Sequence, residues 1–343
     1  IRGRLGSLQQ LAIVTGIFAA LLSDALLANI AGAADQPLWG LTAWRWMFMV
    51  AAIPALVYGL VSLRLPESPR YLVRKGDMTR AAEVLETVTG AVDVDAKIKE
   101  ITSTIDTERK ESLRDLRGSR LGLKPIVWVG ILLSVFQQFV GINVIFYYST
   151  TLWQSVGFDE SSALLTSVIT SVTNIVVTII AILLVDKVGR RIMLLVGSVG
   201  MTVTLGLMAL AFSFGTLDAE GAATLPDPWA TVALICANGF VVFFGATWGP
   251  LVWVLLGEIF PNSIRAGALA VAAAAQWAAN FFISTTFPIF ADIGLTFAYG
   301  FYAFFALLSF FFVYFKVPET KGKELEEMTD ELTVERRGTR KAT

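Results

Sequence analysis

Eight apolar runs, each long enough to cross a lipid bilayer, dominate this sequence and leave few architectures open. With soft edges they cover 8–31, 46–63, 126–152, 164–185, 192–214, 229–256, 268–290 and 297–315. A helix of about 20 apolar residues spans the hydrocarbon. Backbone groups in lipid must bond within the protein, so the runs predict helices and an all-α polytopic membrane protein. The 55% hydrophobic content exceeds the roughly 45–50% of soluble domains, and the 16% of charged residues falls below their ~25%. There is no histidine, and the single cysteine, Cys236, lies inside an apolar run. An internal disulfide, a Cys/His metal centre and a histidine-based triad are excluded. With no phosphate loop and no nucleophile–base pair, neither an enzyme, a cofactor nor a nucleic-acid partner is expected.

The basic residues set the orientation. Arg2 and Arg4 precede the first run, and the connection 64–124 is rich in Lys and Arg. Lys187, Arg190 and Arg191 follow the fourth run, Arg265 follows the sixth, and others fill the tail. The alternate connections 32–43, 153–161, 216–227 and 291–296 contain none, and only Arg45 lies near that side. This positive-inside pattern predicts a multi-pass protein of the cell (inner or plasma) membrane with both ends of the chain cytoplasmic.

The connection after the second run reads as two short amphipathic helices, 79–88 and 96–110. Asp77 and Asp93/Asp95 are placed as their N-terminal caps. It is too short and polar for a large core, so a cytoplasmic helical flap is expected. The tail is expected to be disordered after Glu331. Ile1-Arg2-Gly3, two runs and Pro66-Glu67-Ser68-Pro69-Arg70 are echoed later. The echo is Ile264-Arg265-Ala266-Gly267, two runs and Pro318-Glu319-Thr320-Lys321-Gly322. Four runs precede the second copy and nothing precedes the first. A six-plus-six architecture whose first four spans lie outside this chain is the economical expectation. The expected division is 1–65 for two spans of the first half, 66–124 for the flap, 125–316 for the six-span second half, and 317–343 for the tail.

The third run carries the chemistry. Its stretch 134–148, SVFQQFVGINVIFYY, holds Gln137, Gln138 and Asn143 around Gly141. An unpaired amide moved from water into hydrocarbon costs roughly 4–8 kcal/mol, so several on one span suggest a polar pathway inside a bundle. Gly141 is where the helix can break, and broken helices near the midplane mark transporter binding sites. An uncharged amide donates and accepts, which suits a neutral ligand rich in hydroxyls. The alternative is that the amides only tie neighbouring spans together.

Taken with the charged motifs, these residues are specific. Pro66-Glu67-Ser68-Pro69-Arg70, Gln137-Gln138 with Gly141-Ile142-Asn143, and Asp186-Lys187-Val188-Gly189-Arg190-Arg191 occur in order. Gly249-Pro250 with Trp253, Glu258-Ile259-Phe260-Pro261 with Arg265, and Pro318-Glu319-Thr320-Lys321-Gly322 follow. The chain resembles the sugar porter family of the major facilitator superfamily, particularly its bacterial xylose–proton and glucose–proton symporters and facilitators. The resemblance implies the major facilitator fold of two six-span halves, here cut to about eight transmembrane helices, and monosaccharide transport by alternating access. It implies a sugar site built from Gln10, Gln137, Gln138, Asn143, Asn174, Phe244, Trp253, Gln276 and Trp277, less directly Trp248. A sugar has polar edges and weakly apolar faces, so amides with one or two aromatic rings suit it.

Tyr147 and Tyr148 would close over the sugar, and Gly249-Pro250 would loosen the tenth span of the whole fold as a hinge. Phe287-Pro288 would do likewise in the eleventh. Glu67, Arg70, Asp186, Arg190, Arg191, Glu258 and Arg265 would form a cytoplasmic network holding the inside closed. Surface pairs are worth only ~0–1 kcal/mol singly, so a network is required. Asp24, in the outer part of the first run, is expected to cap or to sit at the interface. The family's usual coupling carboxylate belongs to a span outside this chain, so proton symport and facilitated diffusion both stay open. So do transport of inositol or another neutral polyol, and a non-transporting sugar sensor. The expected partners are a monosaccharide, protons as candidate coupling ion, and the lipid bilayer, with a monomeric protein.

Overall fold

The computed structural model describes residues 2–89, 93–107, 113–154, 157–217 and 223–321. It contains eight segments long and apolar enough to cross a membrane: Leu8–Ala31, Ala43–Ser62, Pro125–Tyr147, Glu160–Val188, Arg190–Ser213, Trp229–Ile259, Arg265–Ile293 and Leu295–Lys316. Each coincides with an expected run. Several are longer, because helical bonding continues through charged ends such as Arg190 and Arg265 that hydropathy leaves out.

In chain order the helices are α1 (Arg2–Ala31), α2 (Ala43–Val50), α3 (Ala52–Ser62), α4 (Pro69–Lys75), α5 (Met78–Thr89), α6 (Val94–Thr107), α7 (Pro125–Phe139) and α8 (Ile142–Tyr147). They continue as α9 (Ser149–Gln154), α10 (Glu160–Val188), α11 (Arg190–Ser213), α12 (Trp229–Ala246), α13 (Trp248–Ile259), α14 (Arg265–Ile293) and α15 (Leu295–Lys316). The chain divides into two contact units, Ile1–Met47 with Leu116–Thr343, and Phe48–Asp115.

In the first unit α11 packs on α12 and α15, α14 on α7, and α1 on α10. Lipid is as apolar as leucine, so helices in a membrane associate through close packing and small residues rather than through hydrophobic exclusion. Gly197 shows this: a Cβ there would lie 2.0 Å from Thr247 Oγ1, so only glycine lets α11 meet the α12–α13 junction. Trp248, Phe240, Phe260, Met201, Tyr299 and Tyr302 are wholly buried in this core. Asp159 caps α10, accepting from the Ser162 N–H at 3.2 Å and from the Ser161 and Ser162 hydroxyls at 2.6 Å each. These hydroxyl bonds, to Ser161 foremost, hold its carboxyl down to about 2.

Besides the join of α2 and α3 at Ala51, two spans are interrupted. The run expected over 126–152 is three helices. α7 stops at Val140, Gly141 takes a left-handed φ of 83°, and α8 and α9 follow with a second break at Tyr148. Gly141 is required twice over: its φ disfavours a side chain, and a Cβ would approach Tyr302 Cδ2 to 2.7 Å. The other break separates α12 from α13 at Thr247, with φ −135° and ψ −86°. The interruption therefore falls two residues before the expected hinge at Gly249-Pro250. Pro250 has no N–H to bond the carbonyl of residue 246 and its ring repels it, so the disturbance falls one turn upstream. Pro288 by contrast lies inside a continuous α14.

In the second unit Ser68 caps α4, Asp77 caps α5 through the Arg80 N–H at 3.2 Å, and Asp93 caps α6 through the Ala96 N–H at 2.9 Å. Asp95 lies in the first turn of α6 instead of capping it. Leu72, Val73 and Ala81 form a small core with Val84, Ile98, Ile101 and Ile105. The expected end of the second flap helix, 108–110, and the tail from 322 onward lie outside the described residues.

Replacing Gly141 by alanine adds left-handed strain and a clash with Tyr302. The expected loss is about 2–4 kcal/mol of stability, read as a lower unfolding temperature in detergent; an unchanged temperature contradicts this assignment of the break.

Candidate functional site

The interruption at Gly141 creates the polar centre of the first unit. Gln137 and Gln138 end α7 and are buried. The turn at Gly141 brings Asn143 back so that its Nδ2 donates to Gln138 Oε1. Asn280 Nδ2, on α14, donates to the same oxygen at 3.1 Å. Gln138 Nε2 faces Gln137 Oε1 at 3.4 Å, and Gln137 Nε2 donates to the carbonyls of Trp248 and Gly249 at 3.0 and 3.1 Å. Gly249 is crowded from the other side by Gln10 Nε2 of α1 and the Phe244 ring, 3.2 and 3.3 Å from where its Cβ would stand. One turn earlier, Asn174 Oδ1 of α10 lies against Gly245.

Amides from α1, α7, α8, α10 and α14 thus gather around the α12–α13 junction. None of them is charged. Asn174 Oδ1 and Gln276 Oε1 are buried with no hydrogen-bond partner among the described residues. Such atoms cost free energy until something supplies a donor. The set therefore holds helices together, as Gln137 does, and leaves two acceptors unmatched.

The structure brings Gln10, Gln137, Gln138, Asn143, Phe244 and Gly249 together, with Pro250 in the first turn of α13. Trp253 is half-buried on that helix. Gln276 is buried on α14 while the adjacent Trp277 is 61% exposed, as consecutive helical residues point about 100° apart. Tyr147 is 56% exposed; Tyr148 donates to the Ser284 carbonyl at 3.0 Å and its ring packs on Phe287. Trp248 turns away: its indole N–H donates to Leu194 O and Ser198 Oγ, both at 3.1 Å, which makes it part of the α11 contact. Asn280 was missed by sequence reasoning. Its spacing four residues after Gln276 puts it on the same helix face, and that signal was available.

Asp24 is half-buried on the inward stripe of α1 that also carries Gln10, Val14 and Ala28. A cavity of about 550 Å³ lies between α1 and α10, lined by Leu22, Leu26, Asn29, Glu160, Leu164 and Val168 among others. None of the candidate amides lines it.

A second polar centre joins the end of α10, the start of α11 and the end of α13. Arg190, its side chain 7% exposed, donates from Nε and an Nη to both Glu258 oxygens at 3.2 and 2.9 Å, and from Nη2 to Asp186 at 2.9 Å. Thr320 Oγ1 adds a bond to Glu258 at 2.7 Å. Glu319, which sequence reasoning did not single out, accepts from the backbone N–H groups of Arg190 and Arg191 at 3.0 and 3.1 Å. Its carboxylate therefore caps the N-terminus of α11, where the helix dipole favours negative charge. Arg191 reaches the Tyr314 carbonyl at 2.6 Å, and Arg265 donates to the Phe260 carbonyl at 3.1 and 3.2 Å. Glu67 and Arg70 belong to the other unit and are exposed at the start of α4.

The family described as "Sugar (and other) transporter" matches residues 1–332. A glucose transport protein of Synechocystis is 55% identical over 96% of this chain and 70% of its own length. A D-xylose-proton symporter of Escherichia coli is 39% identical over 96% of this chain and 64% of its own length. The solved structure of the proton:xylose symporter XylE bound to 6-bromo-6-deoxy-D-glucose superposes with a TM-score of 0.74. It is 36% identical, covering 97% of this chain and 67% of that one. The chain belongs to this family of sugar transporters and has the major facilitator fold. It is a multi-pass membrane protein and a transporter, not an enzyme. It spans about two thirds of the length of these relatives.

Replacing Glu258 by alanine strands the Arg190 guanidinium. Removing one partner of a buried pair typically costs roughly 3–5 kcal/mol. Asp186 remains, so a loss nearer about 2 kcal/mol is expected, largely abolished when Arg190→Met is combined with it in a double-mutant cycle; additive losses contradict direct pairing.

Proposed function

We propose that the protein carries a monosaccharide, a hexose or pentose, across the membrane by alternating access. The observation that carries this reading is the uncharged amide cluster at the Gly141 break. Gln10, Gln137, Gln138, Asn143, Asn174 and Gln276, with Asn280 added, supply donors and acceptors to sugar hydroxyls. Phe244, Trp253 and Trp277 supply ring faces. Ion-binding or anionic substrates are disfavoured by the lack of charge in the cluster.

Tyr147 and Tyr148, on and beside the short α8, act as a gate over the site, and the α12–α13 junction with Gly249 and Pro250 acts as a hinge. The Arg190–Glu258–Asp186 network stabilises one conformation because its bonds exist only while α10, α11 and α13 keep this arrangement. Arg191 and Arg265 support it through carbonyl contacts, and Glu67 and Arg70 are assigned to the cytoplasm by the distribution of Lys and Arg. Both ends of the chain lie in the cytoplasm, as the distribution of Lys and Arg supports. Coupling to protons is proposed for its kinship with proteins named as proton symporters.

Uptake of labelled glucose and xylose into vesicles from cells expressing the protein tests this. Accumulation that collapses with the proton gradient is expected; uptake that only equilibrates retains transport and rejects coupling. No uptake of either sugar by folded protein rejects the monosaccharide. Gln138→Ala loses its own bonds and frees Asn143 and Asn280, so the half-saturating sugar concentration should rise about tenfold, the worth of about 1.4 kcal/mol.

A further inference from the structure

Near the N-terminal end of α15, Tyr299 and Tyr302 are wholly buried. Their ring centroids stand 6.1 Å apart at 77°. Phe212 of α11 stacks on Tyr299 at 5.3 Å, and the Tyr302 ring presses on the Gly141 break. Packing clamps both rings, yet neither hydroxyl has a hydrogen-bond partner among the described residues. Trp248, equally buried, has both Leu194 O and Ser198 Oγ as acceptors, and Ser198 pairs with Ser309 at 2.8 Å. A buried phenol that has lost water and gained nothing is unfavourable, so two adjacent ones point to a shared partner.

Tyr148, at the end of α8, packs its ring on Phe287 of α14. Its proton goes to the Ser284 carbonyl, so its oxygen is left to accept. Ser284 Oγ faces Asn280 Oδ1 at 3.5 Å, and Asn280 bonds Gln138. Polar groups therefore lead from the amide cluster as far as Tyr148. A buried water makes typically about three hydrogen bonds, and the two phenols offer it two donors.

We propose that Tyr299 and Tyr302 bind ordered water in the core between α11 and α15, beside the Gly141 break. Both phenols donate to the water. Its consequence is mechanical. Water can exchange its bonds as the Tyr302 ring and the Gly141 break shift, whereas phenols bonded to one another would hold the break in a single place.

Radiolytic hydroxyl labelling of the folded protein tests this without any sugar, because radicals form from water held beside a side chain. Corrected for intrinsic reactivity, Tyr299 and Tyr302 should be labelled several-fold faster than the equally buried Phe240 and Trp248. Rates no higher than theirs overturn the proposal. Tyr302→Phe should lower labelling at Tyr299 and lower the unfolding temperature, because bound water loses a donor. A raised temperature, the result of deleting a dry unpaired hydroxyl, overturns it as well. If that variant does not fold, the comparison within the native protein decides alone.

Discussion

A polar atom inside a bilayer has to find its partner inside the protein, and the arrangement of the first unit follows from that constraint. A continuous helix through 126–152 would have satisfied its own backbone and left three amides facing hydrocarbon or one another. The break at Gly141 instead folds Asn143 back onto Gln138 and lets α14 add Asn280. Gln137 meanwhile spends its donor on carbonyls at the start of α13, where Thr247 has already interrupted the helix. The two breaks support each other: one provides exposed backbone and the other the side chain that bonds it.

Tying and binding need not compete. An amide has more hydrogen-bonding positions than a helix contact uses, so Gln138 can hold two asparagines and still present an N–H. The neutral cluster and the charged network are separated along the helices, and that division matters. Arg190 with Glu258 and Asp186 can bias a conformation strongly because it is nearly excluded from water. Placed beside the amides, the same charges would select ions over a neutral sugar. Glu319 adds a constraint by joining the end of α15 to the start of α11, two helices that also pack along their length.

Hydropathy made all eight spans legible, since a bilayer leaves little choice to an apolar run of that length. The Gly141 break was legible because a glycine between polar residues had no other evident purpose. The Thr247 break was displaced from its expected place because a proline acts on the preceding turn. Pro288 shows that a proline alone does not decide: α14 runs through it. Which helices would meet was not legible, so the attachment of Gln137 to Trp248 and Gly249, and of Trp248 to α11, had to come from the fold. Asn280 was legible from its spacing, and Glu319 was visible as part of a motif whose capping role appears only once α15 is seen ending beside α11.

The most direct test of a sugar site at the Gly141 break is a solved structure of the protein soaked with glucose or xylose. Sugar density contacting Gln138, Asn143 and Asn280, with Gln10 on the opposite side, is the expected result. Density confined to the α1–α10 cavity, or an amide cluster left unchanged at saturating sugar, would contradict it.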